Sequence, residues 1–199
     1  NYECTFKGKG LLPMHGYLQR MEKLKHSEPT HAEAKEFFSL LRASRKPLLY
    51  VGGGIINSNS THILREFVHK YRIPVVTTLM GIGSIDTADP LCLHMLGMHG
   101  TAYANYAVMD CDLLIAVGAR FDDRVAGLAS EFAPNAKIVH IDIDAAEIGK
   151  VKPVVWSFVG DAGKVLKKLM EYGKDIQLRH ESWIKHVQML KKEHPLNYD

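Results

Sequence analysis

The stretch Gly118-Ala119-Arg120-Phe121-Asp122-Asp123-Arg124-Val125 puts two guanidinium groups and two carboxylates directly after the apolar run Leu113–Val117. Arginine can grip a phosphate with two parallel N–H bonds, where lysine offers only a point charge. Asp122 or Asp123 would orient either Arg120 or Arg124. A surface arginine–carboxylate network is the alternative reading. An apolar strand ending in glycine and such a cluster is how open α/β sheets present a site for a polar ligand.

Other segments share that pattern. Leu96-Gly97-Met98-His99-Gly100 sets His99 in glycine-rich backbone, as a contact to a bound ring or partner domain rather than a general base. Gly52-Gly53-Gly54 follows the apolar Leu48-Leu49-Tyr50-Val51 and could bring a phosphate close to backbone amides. It lacks the full spacing of the dinucleotide fingerprint and of the P-loop, so it reads equally as a turn. In Ile141-Asp142-Ile143-Asp144, Asp142 is placed to accept ribose or ribityl hydroxyls, and Asp144 to cap a helix that Glu147 begins. Gly160-Asp161 repeats the strand-end pattern, with Asp161 either a ligand contact or an N-cap.

Hydrolytic chemistry is hard to assemble. No G-x-S-x-G elbow exists, and no histidine–carboxylate set has metal spacing. The chain of 199 residues, 46% apolar and 24% charged, suits one substantial core. A formal charge of +3, with basic residues mixed among acids on amphipathic stretches, speaks against nucleic acid. No apolar run reaches membrane-spanning length. Cys92 and Cys111 read as buried small hydrophobes, and an odd cysteine number favours a reducing compartment.

The elements that must position these residues alternate between strand and helix. Helices are expected from residue 30 or 31 with Phe37, Phe38, Leu40 and Leu41 inward, and after residue 60 with Ile63, Leu64, Phe67 and Val68 inward. Further helices are expected over 101–108 with Ala102, Tyr106 and Ala107 near the core, over 162–172, and over 183–192. Residues 126–132 are weakly helical. Strands are expected at 48–51, 73–78, 113–117, 138–143 and 154–159, with 79–96 a loop. This alternation indicates an α/β fold: a parallel β-sheet with helices on both faces. Right-handed crossovers then bring Gly52, Thr78, Gly118, Asp142 and Gly160 to one rim.

Tyr50-Val-Gly-Gly-Gly54, Thr78-Leu-Met-Gly81, Leu96-Gly-Met-His-Gly-Thr-Ala-Tyr-Ala-Asn-Tyr-Ala107, Gly118-Ala-Arg-Phe-Asp-Asp-Arg-Val125 and the run from His140 to Lys150 closely resemble acetohydroxyacid (acetolactate) synthases. The resemblance covers the chain from about Gly16 onward and is to the middle domain of the large catalytic subunit. It implies a Rossmann-like domain of thiamine-diphosphate-dependent enzymes that carries FAD. Thiamine diphosphate and Mg2+ would be held by flanking pyrimidine- and diphosphate-binding domains. It implies an enzyme that decarboxylates pyruvate and joins the two-carbon unit to pyruvate or 2-oxobutanoate, at the start of branched-chain amino-acid synthesis. A homo-oligomer, a regulatory small subunit, and a cytoplasmic (bacterial) or plastid-stroma location belong to the same expectation.

By that resemblance Arg20 is a flavin pyrophosphate contact, and Gly52, Gly53 and Gly54 lie beneath the cofactor. Thr78, Leu79, Leu96, Gly97, Met98 and His99 run along the isoalloxazine and ribityl parts. Gly118, Arg120, Asp122, Arg124 and Val125 form the central FAD-binding stretch. Asp142, Ile143, Gly160 and Asp161 surround the adenosine. Met98, Asp123 and Arg124 also border the family's substrate channel and herbicide site. The glutamate that activates thiamine diphosphate and the Gly-Asp-Gly…Asn metal motif have no match, since Gly160-Asp161 continues as Ala162-Gly163. The chain alone is therefore expected to be inactive. Residues 1–29 read as a lead-in arm, 30–175 as the FAD-binding domain, and 176–199 as a C-terminal helix and link. Rival readings are the middle domain of another thiamine-diphosphate decarboxylase or carboligase, and a noncatalytic nucleotide-binding scaffold. A domain acting chiefly by interdomain packing would expose Trp183, Tyr103 and Met98.

Overall fold

The computed structural model describes residues 19, 27–121 and 131–196. Six strands, β1 (Pro47–Val51), β2 (Val75–Thr77), β3 (Cys92–Met95), β4 (Leu113–Val117), β5 (Lys137–Asp142) and β6 (Trp156–Val159), form one sheet of order β3-β2-β1-β4-β5-β6. Every pairing is parallel. Adjacent parallel strands need crossovers, and the order reverses direction between β1 and β4. This is the switch point at which doubly wound sheets open a crevice.

The helices are α1 (His31–Ala43), α2 (Gly53–Asn57), α3 (Thr61–Tyr71), α4 (Ala102–Asp110), α5 (Ala162–Tyr172) and α6 (Glu181–Glu193). Their starts follow from local chemistry. Thr30 and Glu33 form a reciprocal capping box for α1, Thr101 caps α4 through the Ala104 N–H, and Asp161 caps α5 through the Lys164 N–H.

Alternation along the strands divides two cores. Leu49, Val51, Ile115, Val117, Val139 and Ile141 face α1, α3 and α5, while Leu48, Tyr50, Leu114, Ala116 and Ile138 face α4 and α6. Because both faces are covered, β1 and β4 are buried at every position. Trp183, Val187 and Leu190 of α6 are buried in the second core. At roughly 2 kcal/mol for each large apolar side chain, they hold α6 on the sheet.

Several local expectations are corrected. The span 79–96 is not a plain loop: it contains a 3-10 turn at Leu79–Gly81 and the edge strand β3. On α4 the buried face is Tyr103, Ala104, Ala107 and Val108, whereas Ala102 is exposed and Tyr106 points to solvent. One residue of phase, set by Thr101 as cap, accounts for the difference. No helix begins at Glu147; residues 145–149 form consecutive turns. Trp183 and Tyr103 are buried, leaving Met98 as the exposed member of that trio. The expected helix over 126–132 lies mostly outside the described residues.

Candidate functional site

Five backbone hydrogen bonds cross the sheet at its C-terminal edge. The first N–H beyond one strand donates to the last residues of its neighbour: Leu96 to Thr77 (3.2 Å), Thr78 to Val51 (2.9 Å), Gly52 to Val117 (3.1 Å), Gly118 to Ile141 (2.8 Å) and Gly160 to Asp142 (2.9 Å). Each expected site segment is thus tied to the next, and Gly52, Gly118 and Asp142 share one edge.

At the switch point the turns after β1 and β4 meet backbone to backbone. A Cβ on Gly52 would stand 2.2 Å from the Gly118 carbonyl oxygen, and one on Gly54 2.6 Å from the Gly118 Cα. The Gly54 N–H donates to the Gly118 carbonyl at 3.0 Å. Two of the three glycine amides are therefore engaged within the protein. Among the described residues the Gly53 N–H, at the start of α2, has no backbone acceptor. What the glycines supply at this point is close approach of two loops.

Beyond Gly118 the chain alternates: Ala119 is buried, Arg120 exposed and Phe121 buried. Two buried side chains hold this stretch. The Tyr50 hydroxyl donates to the Arg120 carbonyl at 3.0 Å, and the His140 Nε2–H donates to the Ala119 carbonyl at 3.0 Å. A carbonyl can only accept, so His140 carries its proton on Nε2. Asp122, Asp123, Arg124, Val125 and Arg20 lie outside the described residues.

Asp142 ends β5, nearly buried. Burial pushes its carboxyl up, but the His140 ring 3.8 Å away and the Asp144 N–H at 3.0 Å pull it below the ordinary range. A carboxylate kept ionised at a strand end can accept hydroxyl donors. Ile143 is half-buried beside it, and Gly160 is buried over Phe158. The Asp161 side chain is committed to capping α5 at 3.0 Å.

On the other side of the switch point, Thr78 caps the 3-10 turn and Leu79, 68% exposed, projects from it. Leu96 is buried, Gly97 holds a φ of +102°, and Met98 is 78% exposed next to exposed His99. Asn105 of α4 fixes this turn by accepting from the Gly97 N–H (2.8 Å) and donating to its carbonyl (3.0 Å). Below the turn a cleft of about 140 Å³ is lined by Thr77, Ile85, Cys92, His94, Met95 and His99 among others. His94 sits there with φ +63°, where β3 slips register against β2. Its Nδ1 accepts the Tyr103 hydroxyl at 2.7 Å, and burial, with Lys191 adding to it, depresses its basicity so that the ring stays neutral.

The side chains that hold the site's backbone are not visible in the sequence. Tyr50, His140, Asn105 and the His94–Tyr103 pair act on backbone or on each other across 8 to 70 residues of chain. Only Asn105, the one amide on its helix, stands out locally.

The arrangement offers an exposed arginine three residues past the end of β4, a carboxylate held in its ionised form at the end of the neighbouring β5, and exposed apolar Leu79 and Met98 on the turns past β2 and β3. That donor set suits an anionic diphosphate with sugar hydroxyls at one end and a flat ring at the other. Among the described residues no His, Cys, Asp and Glu side chains gather in a group able to hold a metal ion.

Comparison with known proteins agrees with this architecture. Residues 34–169, more than half of the chain, match the family model described as thiamine pyrophosphate enzyme, central domain. An acetolactate synthase large subunit of Cyanidium caldarium is 47% identical over 174 residues, which is 85% of this chain and 30% of that protein. The chloroplastic acetolactate synthase of Arabidopsis thaliana is 46% identical over 187 residues, 92% of this chain and 27% of that protein. Isozyme 2 of Escherichia coli (strain K12), its large subunit, is 43% identical over 169 residues, 85% of this chain and 30% of that protein. The chain therefore spans less than a third of the length of these relatives. With a family model that matches more than half of its length, and relatives at 43–47% identity, the chain belongs to the central-domain family of thiamine pyrophosphate enzymes.

Proposed function

We propose that this chain is the FAD-carrying middle domain of an acetolactate synthase. The complete protein decarboxylates pyruvate and joins the two-carbon unit to pyruvate or 2-oxobutanoate, opening branched-chain amino-acid synthesis. The observation that carries the reading is the placement of exposed Arg120 at the β1/β4 switch point, within a ladder that brings Gly52, Thr78, Leu96, Gly118, Asp142 and Gly160 to one edge. The relatives' names support the reaction, and the gathering of these segments at one sheet edge supports a flavin there.

In this reading Arg120, with Arg124 and Arg20, meets the diphosphate, and Gly52, Gly53 and Gly54 let the backbone lie close beneath it. Thr78, Leu79, Leu96, Gly97, Met98 and His99 line the ring side. Asp142, Ile143, Gly160 and Asp161 line the adenosine side, with Asp122 and Val125 completing the central stretch. The overall reaction has no net redox change, so the flavin contributes chiefly by ordering the site. This domain's residues bind and orient that group and keep water from its apolar side. Thiamine diphosphate and Mg2+ belong to flanking domains, and the working enzyme is a homo-oligomer that also offers a surface to a regulatory subunit. Residues 30–175 form the domain body between a lead-in arm (1–29) and a C-terminal helix and link (176–199). The protein works in the cytoplasm of a bacterium or in a plastid stroma.

The complete protein carrying this chain, purified and gel-filtered, should retain FAD and form acetolactate from pyruvate when given thiamine diphosphate and Mg2+. The 199-residue chain alone should form none and should bind FAD more weakly than micromolar. A complete protein that neither holds flavin nor consumes pyruvate would sink the reading, as would preferential binding of ADP or coenzyme A.

A further inference from the structure

Arg120 owes its outward course to two hydrogen bonds arriving from different strands. β4 ends at Val117, and the chain then turns toward the α4/α6 face with Ala119 and Phe121 pressed into that core. The carbonyl before Arg120 accepts from His140 on β5, and the carbonyl of Arg120 itself accepts from Tyr50 on β1. β1 and β5 are the two strands that flank β4. Both donors are 0% exposed, so neither bond is exchanged for water. The Phe121 ring packs edge-on against His140 at 5.3 Å and lies 5.5 Å from Tyr50. The peptide planes on both sides of the Arg120 Cα are thereby fixed, and with them the direction in which its side chain leaves the backbone.

We propose that Tyr50 and His140 are positioning residues for the Arg120 guanidinium, holding its two flanking carbonyls so that the side chain is aimed into the β1/β4 crevice before ligand arrives. The inference rests on the flavin reading above. Neither residue touches the ligand: Tyr50 is buried on one sheet face and His140 is enclosed among Phe121, Ala119 and Asp142. Their contribution is to restrict the loop to the binding-competent arrangement. Without one carbonyl clamp that arrangement is populated for a fraction of the time, and apparent affinity falls by the same fraction.

The test is FAD affinity, read by quenching of flavin fluorescence on the complete apoprotein, with the thermal melt of each variant measured alongside. Tyr50→Phe keeps the ring and removes only the donor, and should weaken FAD about fivefold to tenfold. In an Arg120→Ala background the same change should cost less than twofold, because its effect runs through the missing guanidinium. His140→Leu should weaken FAD to a similar degree, whereas His140→Gln, whose amide nitrogen can donate as the imidazole Nε2 does, should stay within twofold of the parent. Equal losses from Tyr50→Phe in both backgrounds would overturn the proposal, as would unchanged affinity on removing the hydroxyl. If His140→Leu does not fold, the Tyr50 and Arg120 cycle decides alone. A parent protein that binds no FAD at all fails differently: it removes the flavin reading, and this inference with it.

Discussion

A Cβ added to Gly118 would stand 2.6 Å from the Cα of Gly54, across the seam where the turns following β1 and β4 meet. The two central strands leave the sheet side by side, and their first residues touch without an intervening side chain. Gly118 also carries a φ of +55°, in the left-handed region that L side chains rarely occupy. Steric closeness and backbone conformation therefore demand glycine at the same position.

Gly118→Ala should destabilise the protein by roughly 2–5 kcal/mol, combining about 1–2 for the left-handed backbone with about 1–3 for overpacking. Gly83, at φ +92° with no atom within 4 Å of an added Cβ, separates the two causes. Gly83→Ala should cost only about 1 kcal/mol from conformation alone. Thermal melts should show this as a large and a small drop, at roughly 2–4 °C per kcal/mol. Equal drops would mean that the seam between the two loops does not resist a methyl group.

Asp112 precedes β4 at the opposite edge and ties the α1–β1 turn to it. Burial pushes its carboxyl up, but the Ser44 hydroxyl and the N–H groups of Arg45 and Lys46 pull it below its ordinary value of 3.8. A depressed folded value stabilises above the unfolded one, and that stability is lost as pH falls through the folded value. Asp112→Ala should cost about 2 kcal/mol at neutral pH, and the gap to the parent should close only as pH drops below 3.8. Urea titrations at neutral pH and in acid would check this; a gap independent of pH would contradict the charge-based account.

The parts of the fold visible in the sequence were those driven by local chemistry or by an uninterrupted pattern. β1 and β4 read clearly because both faces are covered and every position is apolar. α5 read to the residue because Asp161 caps it and Val165, Leu166 and Leu169 repeat at helical spacing. β3 did not, since Cys92–Met95 is a short edge strand with a histidine and a register slip against β2. The face of α4 was misplaced because its many small residues give little amphipathic contrast. At the candidate site, the strand-end places of Gly52, Gly118, Arg120 and Asp142 were legible, whereas the roles of Tyr50 and His140 were not. Each looks like an ordinary strand residue until β1 and β5 are seen to flank β4, and a strand order cannot be read from one strand.

Cys111 lies at the end of α4 with its thiol donating to the Val108 carbonyl at 3.1 Å, and burial pushes its pKa up to about 12. Cys92 is buried on β3 and raised for the same reason. The thiolate is the reactive form, so neither should alkylate in the folded protein at pH near 8. Peptide mapping after iodoacetamide should find both unmodified without denaturant and both modified in guanidinium. Labelling of Cys111 under native conditions would show that α4 opens far more readily than its burial implies.

Trp183 separates stability from ligand binding most cleanly. It is 2% exposed, and its indole N–H donates to the Pro47 carbonyl at 2.8 Å, fixing α6 to the first residue of β1. Gly52 leaves the other end of that strand, about 16 Å away at roughly 3.3 Å per residue. Trp183→Phe leaves the Pro47 carbonyl without its donor and vacates part of a packed site, so it should cost about 3 kcal/mol. The crevice receives its geometry from the ladder at the far edge and from the carbonyls clamped by Tyr50 and His140, whereas the Trp183 indole holds the carbonyl at the opposite end of β1. FAD affinity of the complete protein should therefore stay within twofold while the melting temperature falls. A parallel loss of affinity would show that α6 transmits its docking through β1 to the switch point, and that the two strand ends are not mechanically independent.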